Sequence, residues 1–159
     1  MSVVIKERCR ATTKSGHRCK SNTYRSIYCW VHMKAKEGFR IKKSEIPDAG
    51  LGLYTTKPIP YNKNVTTYSG NIVHSQDPNF GGPYVLEVGP HRFIDASKTN
   101  EPGLGRWINH KPKRQANTRF VVHAGQALMR TTRNVAKDKE LTVPYGRQYW
   151  RHFRKKVRG

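Results

Sequence analysis

Short alternations of apolar and polar residues, broken every few positions by Gly, Pro, Asn or Asp, run through most of the chain. From Glu37 onward, Phe39-Arg40-Ile41-Lys42 alternates, Pro47-Asp48-Ala49-Gly50 turns, and Gly52-Leu53-Tyr54-Thr55-Thr56 has the residue types of a strand. Val65-Thr66-Thr67-Tyr68 is rich in β-formers and stops at Ser69-Gly70, and Asp77 to Pro83 is a loop. Tyr84-Val85-Leu86-Glu87-Val88 and Arg92-Phe93-Ile94-Asp95 flank Gly89-Pro90 as two further strands. Thr118 to Val122 and Ala127 to Thr132 pair across His123-Ala124-Gly125-Gln126. Stretches with helical periodicity are scarce, the best being Gly146 to Lys155. The pattern predicts a mainly β protein, α+β with little helix.

Composition narrows the picture. The chain has 159 residues, of which 35% are hydrophobic, and its 31 Lys and Arg against 10 Asp and Glu give a formal charge of +21. Aromatic residues and 13 glycines argue against a disordered basic tail. The longest unbroken apolar run, Ile27 to Val31, is far short of the roughly 20 residues of a membrane span. The N-terminus shows no signal-peptide pattern, and three cysteines cannot all pair, so an intracellular, reducing compartment is expected. Charge is concentrated at the ends. Residues 1–36 carry nine basic and one acidic side chain, and residues 151–159 carry five basic and none acidic. Such ends attract polyanions, DNA or an acidic protein surface, without naming one.

All three cysteines fall in the first 36 residues, as Cys9, Cys19 and Cys29, with two residues between the last and His32. Three thiolates and an imidazole are a common tetrahedral set for structural zinc. The Cys-x-x-His pair supplies two ligands from one turn, and loops carrying Thr13-Lys14-Ser15-Gly16 and Lys20-Ser21-Asn22 bring in the others. A piece this poor in aliphatic residues needs such a staple. Four protein ligands leave no open position, so the metal would be structural; His17 is a possible substitute ligand.

Four stations in the β-rich stretch carry the chemistry. They are Ala49-Gly50-Leu51-Gly52-Leu53-Tyr54; Tyr68-Ser69-Gly70; Phe93-Ile94-Asp95-Ala96 leading to Gly105-Arg106-Trp107-Ile108-Asn109-His110; and Glu140-Leu141-Thr142-Val143-Pro144-Tyr145-Gly146. In order and spacing they resemble the SET-domain family of protein lysine methyltransferases. The resemblance implies small twisted sheets with a knot-like C-terminal crossing over residues 37–150, after a zinc-stapled module over 1–36 and before a basic tail over 151–159. The shortness of the chain resembles the minimal SET proteins of large DNA viruses, for which a host nucleus or virion would be the setting.

Methyl transfer from S-adenosylmethionine to a lysine amine is an in-line displacement at carbon with a neutral sulfide leaving. Alignment and a deprotonated amine matter more than a strong base, and a dry aromatic channel serves both. By the resemblance, Tyr145 is the catalytic tyrosine and Tyr84 a channel tyrosine that hydrogen-bonds the lysine nitrogen. Leu51, Gly52 and Leu53 embrace the methionine end of the cofactor. Arg106, Asn109 and His110 form the threaded string, in which Asn109 binds the amino-acid end and the His110 backbone faces the adenine. Trp150, or Tyr149, stacks on the adenine. His110 is not expected to be a general base. Phe120 and Val143 match the channel positions where a tyrosine limits the product, so di- or trimethylation follows. Lys111-Pro112 replaces the usual Ser-Cys, so no C-terminal zinc cluster is expected, Asn71 replaces a common Glu, and Pro144 replaces a common Asp.

The expected activity is protein lysine N-methylation of a histone or histone-like protein, with the basic ends touching DNA or the nucleosome. One rival is a nucleic-acid-binding protein with a catalytically idle SET scaffold. Another keeps the chemistry and moves the target to a non-histone lysine.

Overall fold

The computed structural model describes residues 2–78 and 80–146. In chain order the strands and helix are β1 (Glu7–Arg8), β2 (Asn22–Thr23), α1 (Trp30–Glu37), β3 (Phe39–Lys43), β4 (Leu51–Thr55), β5 (Asn64–Thr67), β6 (Asn71–His74), β7 (Val85–Gly89) and β8 (Arg92–Asp95). After a 3₁₀ turn, Gly105–Trp107, come β9 (Asn109–His110), β10 (Thr118–His123), β11 (Gln126–Thr131) and β12 (Thr142–Val143). The mainly β expectation holds. The sheets are small: β1–β2, β3–β4, β6–β8–β7, β10–β11–β5 and the pair β9–β12. Among the described residues no helix is long and apolar enough to cross a membrane.

The antiparallel pairs follow from tight turns. β10 and β11 join through Ala124 and Gly125, both at positive φ (51° and 72°), the mirror-image turn whose twist matches a hairpin. A side chain at Gly125 would press on the Arg92 guanidinium, its Cβ falling 2.7 Å from Nε. β7 and β8 turn through Pro90 and His91. One main core gathers these sheets around Ile41, Leu53, Leu104, Ile108, Met129, Leu141 and Val143.

The helix α1 is a departure from the expected single turn at Cys-x-x-His. Its first residue follows Cys29, and it ends at Gly38, where a left-handed backbone (φ 77°) lets one N–H reach the carbonyls of Lys34 and Met33. Of its eight residues only Met33 is buried, and that side chain enters the main core. A smaller cluster of Cys9, Ala11, Cys19 and Cys29 sits beside it, and Tyr28 packs on both. The segment before β1 is also tied down: Val3 bridges Lys98 in parallel, and the Ile5 N–H donates to Thr99 Oγ1 at 2.8 Å. The expected helix from Gly146 to Lys155 lies, beyond Gly146, outside the described residues.

The C-terminal crossing is the one parallel pairing of strands among the described residues. Asn109 and His110 lie beside Thr142 and Val143, more than thirty residues later. The Tyr145 N–H closes it by donating to His110 Nδ1 at 2.8 Å, so the ring proton sits on Nε2. Burial pushes the His110 pKa below its ordinary 6.5.

Two outcomes follow. Ala124→Asn places a residue that tolerates the left-handed region where alanine is strained by about 1 kcal/mol, so the melting temperature should rise by a few degrees. Because the unfolded chain takes up a proton at His110 more readily than the folded one, the closure contributes fully above pH 6.5 and is lost as pH falls below it. Thermal melts between pH 7.5 and 5 should therefore show a declining melting temperature, and the decline should be shallower in His110→Asn, whose amide oxygen still accepts a hydrogen bond.

Candidate active site and metal centre

The residues singled out in the first, third and fourth stations converge on a carboxylate. Glu140 is buried, and its Oε1 accepts from Ser44 Oγ at 2.6 Å and from Asn109 Nδ2 at 3.2 Å. Its Oε2 accepts from the Glu45 N–H at 3.0 Å and lies 3.4 Å from the Tyr54 hydroxyl, which donates to the Lys43 carbonyl. Burial first, then the charges of Glu140 and Glu45, push the Tyr54 pKa up to about 12. The Asn117 side chain fastens the same stretch, donating to the Glu140 carbonyl and accepting from the Thr142 N–H. A Cβ at Gly52 would collide with this carboxylate.

Beside the network lies a cleft of about 960 Å³. It brings together Leu51, Tyr84, Arg106, Asn109, His110 and Tyr145 from the expected set, and adds Gly50, Trp107 and a stretch of N-terminal residues. Gly52 and Leu53 do not line it. Gly52 supports the carboxylate, and Leu53, with 0% exposure, is a core residue, so the cleft meets this station through Gly50 and Leu51. Gly50 is the glycine at positive φ (72°), and Gly52 is the one held by close approach.

Arg106 is 6% exposed, yet its guanidinium has no ion-pair partner among the described residues. Its Nε donates to the Ala96 carbonyl at 2.7 Å and its Nη2 to Ser2 Oγ at 2.8 Å, while Nη1 has no partner. The Tyr84 and Trp107 rings each lie 4.3 Å from the guanidinium carbon. Burial lowers its pKa from the usual arginine value. Asn109 gives its Nδ2 to the Leu51 carbonyl at 2.9 Å as well as to Glu140, leaving Oδ1 facing no protein donor among the described residues. Arg106 and Asn109, three residues apart and both lining the cleft, supply a cationic donor and an amide acceptor, the group types that pair with the carboxylate and ammonium of an amino acid.

The tyrosines differ in what holds them. The Tyr145 hydroxyl donates to the Ile108 carbonyl at 3.0 Å; its ring stacks on Phe120 (6.5 Å, 27°) and tilts against His110 (5.2 Å). The carbonyl of Tyr84 accepts from the Tyr68 hydroxyl at 2.6 Å and from the Ala96 N–H, so Tyr68 fixes the backbone under Tyr84. Phe120 sits behind Tyr145, edge-on to Tyr68 (6.0 Å, 80°), rather than on the cleft surface. Val143 is fully buried in the core and does not line this cleft. Trp150 and Tyr149 lie outside the described residues.

The metal-type cluster assembles as expected. The Sγ atoms of Cys9, Cys19 and Cys29 and a His32 ring nitrogen all lie within 4.8 Å of one another, with His32 Nδ1 3.2 Å from Cys29 Sγ and 3.6 Å from Cys9 Sγ. The cysteines form no disulfide. The backbone N–H of Cys29 donates to Cys9 Sγ, and that of Ser21 to Cys19 Sγ, the hydrogen bonds a thiolate uses. His17 points elsewhere, 3.3 Å from Ser15 Oγ. A pair of arginines completes the frame: Arg8 donates to the carbonyls of Cys19 and Arg18, and Arg18 to those of Cys9 and Arg8. These clamps and Glu140 were not singled out from the sequence. The signal for the clamps is the repeated Arg-Cys at positions 8–9 and 18–19.

The family model described as SET domain matches residues 50–146, and all four stations lie inside that span except Ala49, the first residue of the first. The histone-lysine N-methyltransferase, H3 lysine-4 specific, of Yarrowia lipolytica is 26% identical over 124 residues, covering 70% of this chain and 10% of that protein. Histone-lysine N-methyltransferase set-17 of Caenorhabditis elegans is 28% identical over 120 residues, covering 72% of this chain and 43% of that protein. The chain therefore spans less than half the length of either relative. With more than half of its residues inside the family match, and with that match containing Glu140, the crossing and most of the cleft, this chain belongs to the SET-domain family.

Proposed function

We propose that the protein is an S-adenosylmethionine-dependent protein lysine N-methyltransferase. The observation that carries the reading is the cleft, which Arg106 and Asn109 line together with Tyr84 and Tyr145. The first two would hold the amino-acid end of the cofactor, which would supply the transferable methyl group. The two tyrosines would hold the lysine stem, exclude water and keep the amine neutral by desolvation. Relatives named for histone lysine methylation support a histone or histone-like substrate. The absence of a hydroxyl on Phe120, which backs Tyr145, supports a di- or trimethyl product.

The Cys9, Cys19, Cys29 and His32 cluster would hold structural zinc, since its donor set is soft, closed and four-fold. The basic ends would add attraction for DNA or a nucleosome, because among the described residues only Arg10 has a carboxylate partner, Glu7.

Two experiments test these assignments. Purified protein incubated with labelled cofactor and nucleosomes, core histones or cell extract should label a lysine-bearing protein. Mass spectrometry should show di- or trimethyl-lysine. Tyr145→Phe should cut transfer on the order of 100-fold while leaving the fold intact. No labelling of any substrate, or equal labelling by Tyr145→Phe, would refute the catalytic reading. Separately, metal analysis of the purified protein should find zinc, and chelation or Cys29→Ser should remove it and lower the melting temperature. A zinc-free protein with an unchanged melt would refute the metal assignment.

A further inference from the structure

The N-terminal module forms one wall of the catalytic cleft. Ser2, Val4, Tyr24 and Arg25 line the same 960 Å³ as Asn109 and Tyr145. Hydrogen bonds hold that wall against the rest, among them Trp107 Nε1 to the Arg25 carbonyl at 2.9 Å, Arg106 Nη2 to Ser2 Oγ, and the Ile5 N–H to Thr99 Oγ1. The loop that carries Tyr24 is stiff. Thr23 Oγ1 lies within hydrogen-bond distance of the carbonyls of Ser26 and Tyr28, the Tyr28 N–H donates to Ser26 Oγ, and the Arg10 N–H donates to the Ile27 carbonyl. Its ends are held by β1–β2 next to Cys9 and by Cys29 itself, two members of the metal-type cluster.

This hydrogen-bonded loop leaves the Tyr24 ring 47% exposed in the cleft wall. The other aromatic rings of the cleft are engaged. Tyr84 and Trp107 each face the Arg106 guanidinium, and Tyr145 meets His110 and Phe120. Tyr24 has no ring or cation partner among the described residues. We infer that Tyr24 is a binding residue for the cofactor's purine, a stacking platform contributed by the metal-held module instead of by the C-terminal segment. This deepens the methyltransferase reading and rests on it. Base–aromatic stacking is lost when the ring is truncated and kept when only the hydroxyl is removed.

The test is titration calorimetry of the full, zinc-loaded chain with S-adenosylhomocysteine. Tyr24→Ala should weaken binding about tenfold or more without lowering the melting temperature, because the side chain is half-exposed. Tyr24→Phe should bind as wild type does, and so should Tyr61→Ala, which truncates an exposed tyrosine that does not line the cleft. Wild-type affinity in Tyr24→Ala would overturn the inference, and so would a loss confined to Trp150→Ala. Both leave the methyltransferase reading standing. If wild-type protein takes up no S-adenosylhomocysteine, that reading fails and the inference fails with it.

Discussion

A carboxylate buried without a cation beside it is tolerable only when neutral donors satisfy its oxygens, and Glu140 is such a group. Its donors come from separate parts of the chain, Ser44 and Glu45 after β3 and Asn109 in β9, and the Tyr54 hydroxyl in β4 lies against it. Each of these segments is thereby held to the residue that precedes the final strand. Withdrawing any donor leaves charge uncompensated in a place that water does not reach. The same geometry explains Gly52, where any side chain would occupy the space of the carboxylate. Two stations almost ninety residues apart in sequence are therefore two sides of one contact. Asn109 links that contact to the cleft, which it lines, by giving its amide hydrogens to the Leu51 carbonyl and Glu140.

The module around Cys9, Cys19 and Cys29 has few aliphatic groups, and its cluster is small. Its position depends on what it lends to its neighbour: Met33 to the main core, the Arg25 carbonyl to Trp107, and Tyr28 to both clusters. A metal bound by its four donors would stiffen the β1–β2 pair and the start of α1 together, since Cys9 follows one and His32 lies in the other. The arginine clamps on the cysteine carbonyls work in the same direction. Folding of the module and shaping of the cleft wall are thus coupled through a few residues.

Much of this could be read from the sequence where a local rule decides the outcome. Turn residues at Gly89-Pro90 and Ala124-Gly125 fix their hairpins, and the Cys and His spacing selects the cluster. What was not legible depends on which side of an element meets the core. α1 has the sequence Trp-Val-His-Met-Lys-Ala-Lys-Glu with one buried residue, so it carries almost no helical periodicity. β6 is an edge strand whose Ile72 is exposed, and β1, β2, β9 and β12 are two residues each, too short for any pattern. Leu53 and Val143 match a family motif in sequence but turn inward, and only three-dimensional packing separates them from Leu51. Glu140 lies within a motif, yet nothing local in the sequence reveals that its partners are Ser44 and Asn109.

The cleft's titratable groups also constrain the chemistry. Arg106 is a fixed cation between two aromatic rings, and His110 uses Nδ1 to accept the Tyr145 N–H while burial disfavours its charged form. The Tyr145 hydroxyl gives its hydrogen to the Ile108 carbonyl, and Asp48 is on the exposed turn before Gly50. None of these is a free, buried base poised to take a proton from water. Hydrolysis would need one. Displacement at a sulfonium-bound methyl does not, provided that the amine arrives already neutral and aligned, and a narrow aromatic site that excludes water favours both conditions. With Nδ1 committed to the Tyr145 N–H, His110 is a part of the frame that holds the crossing together.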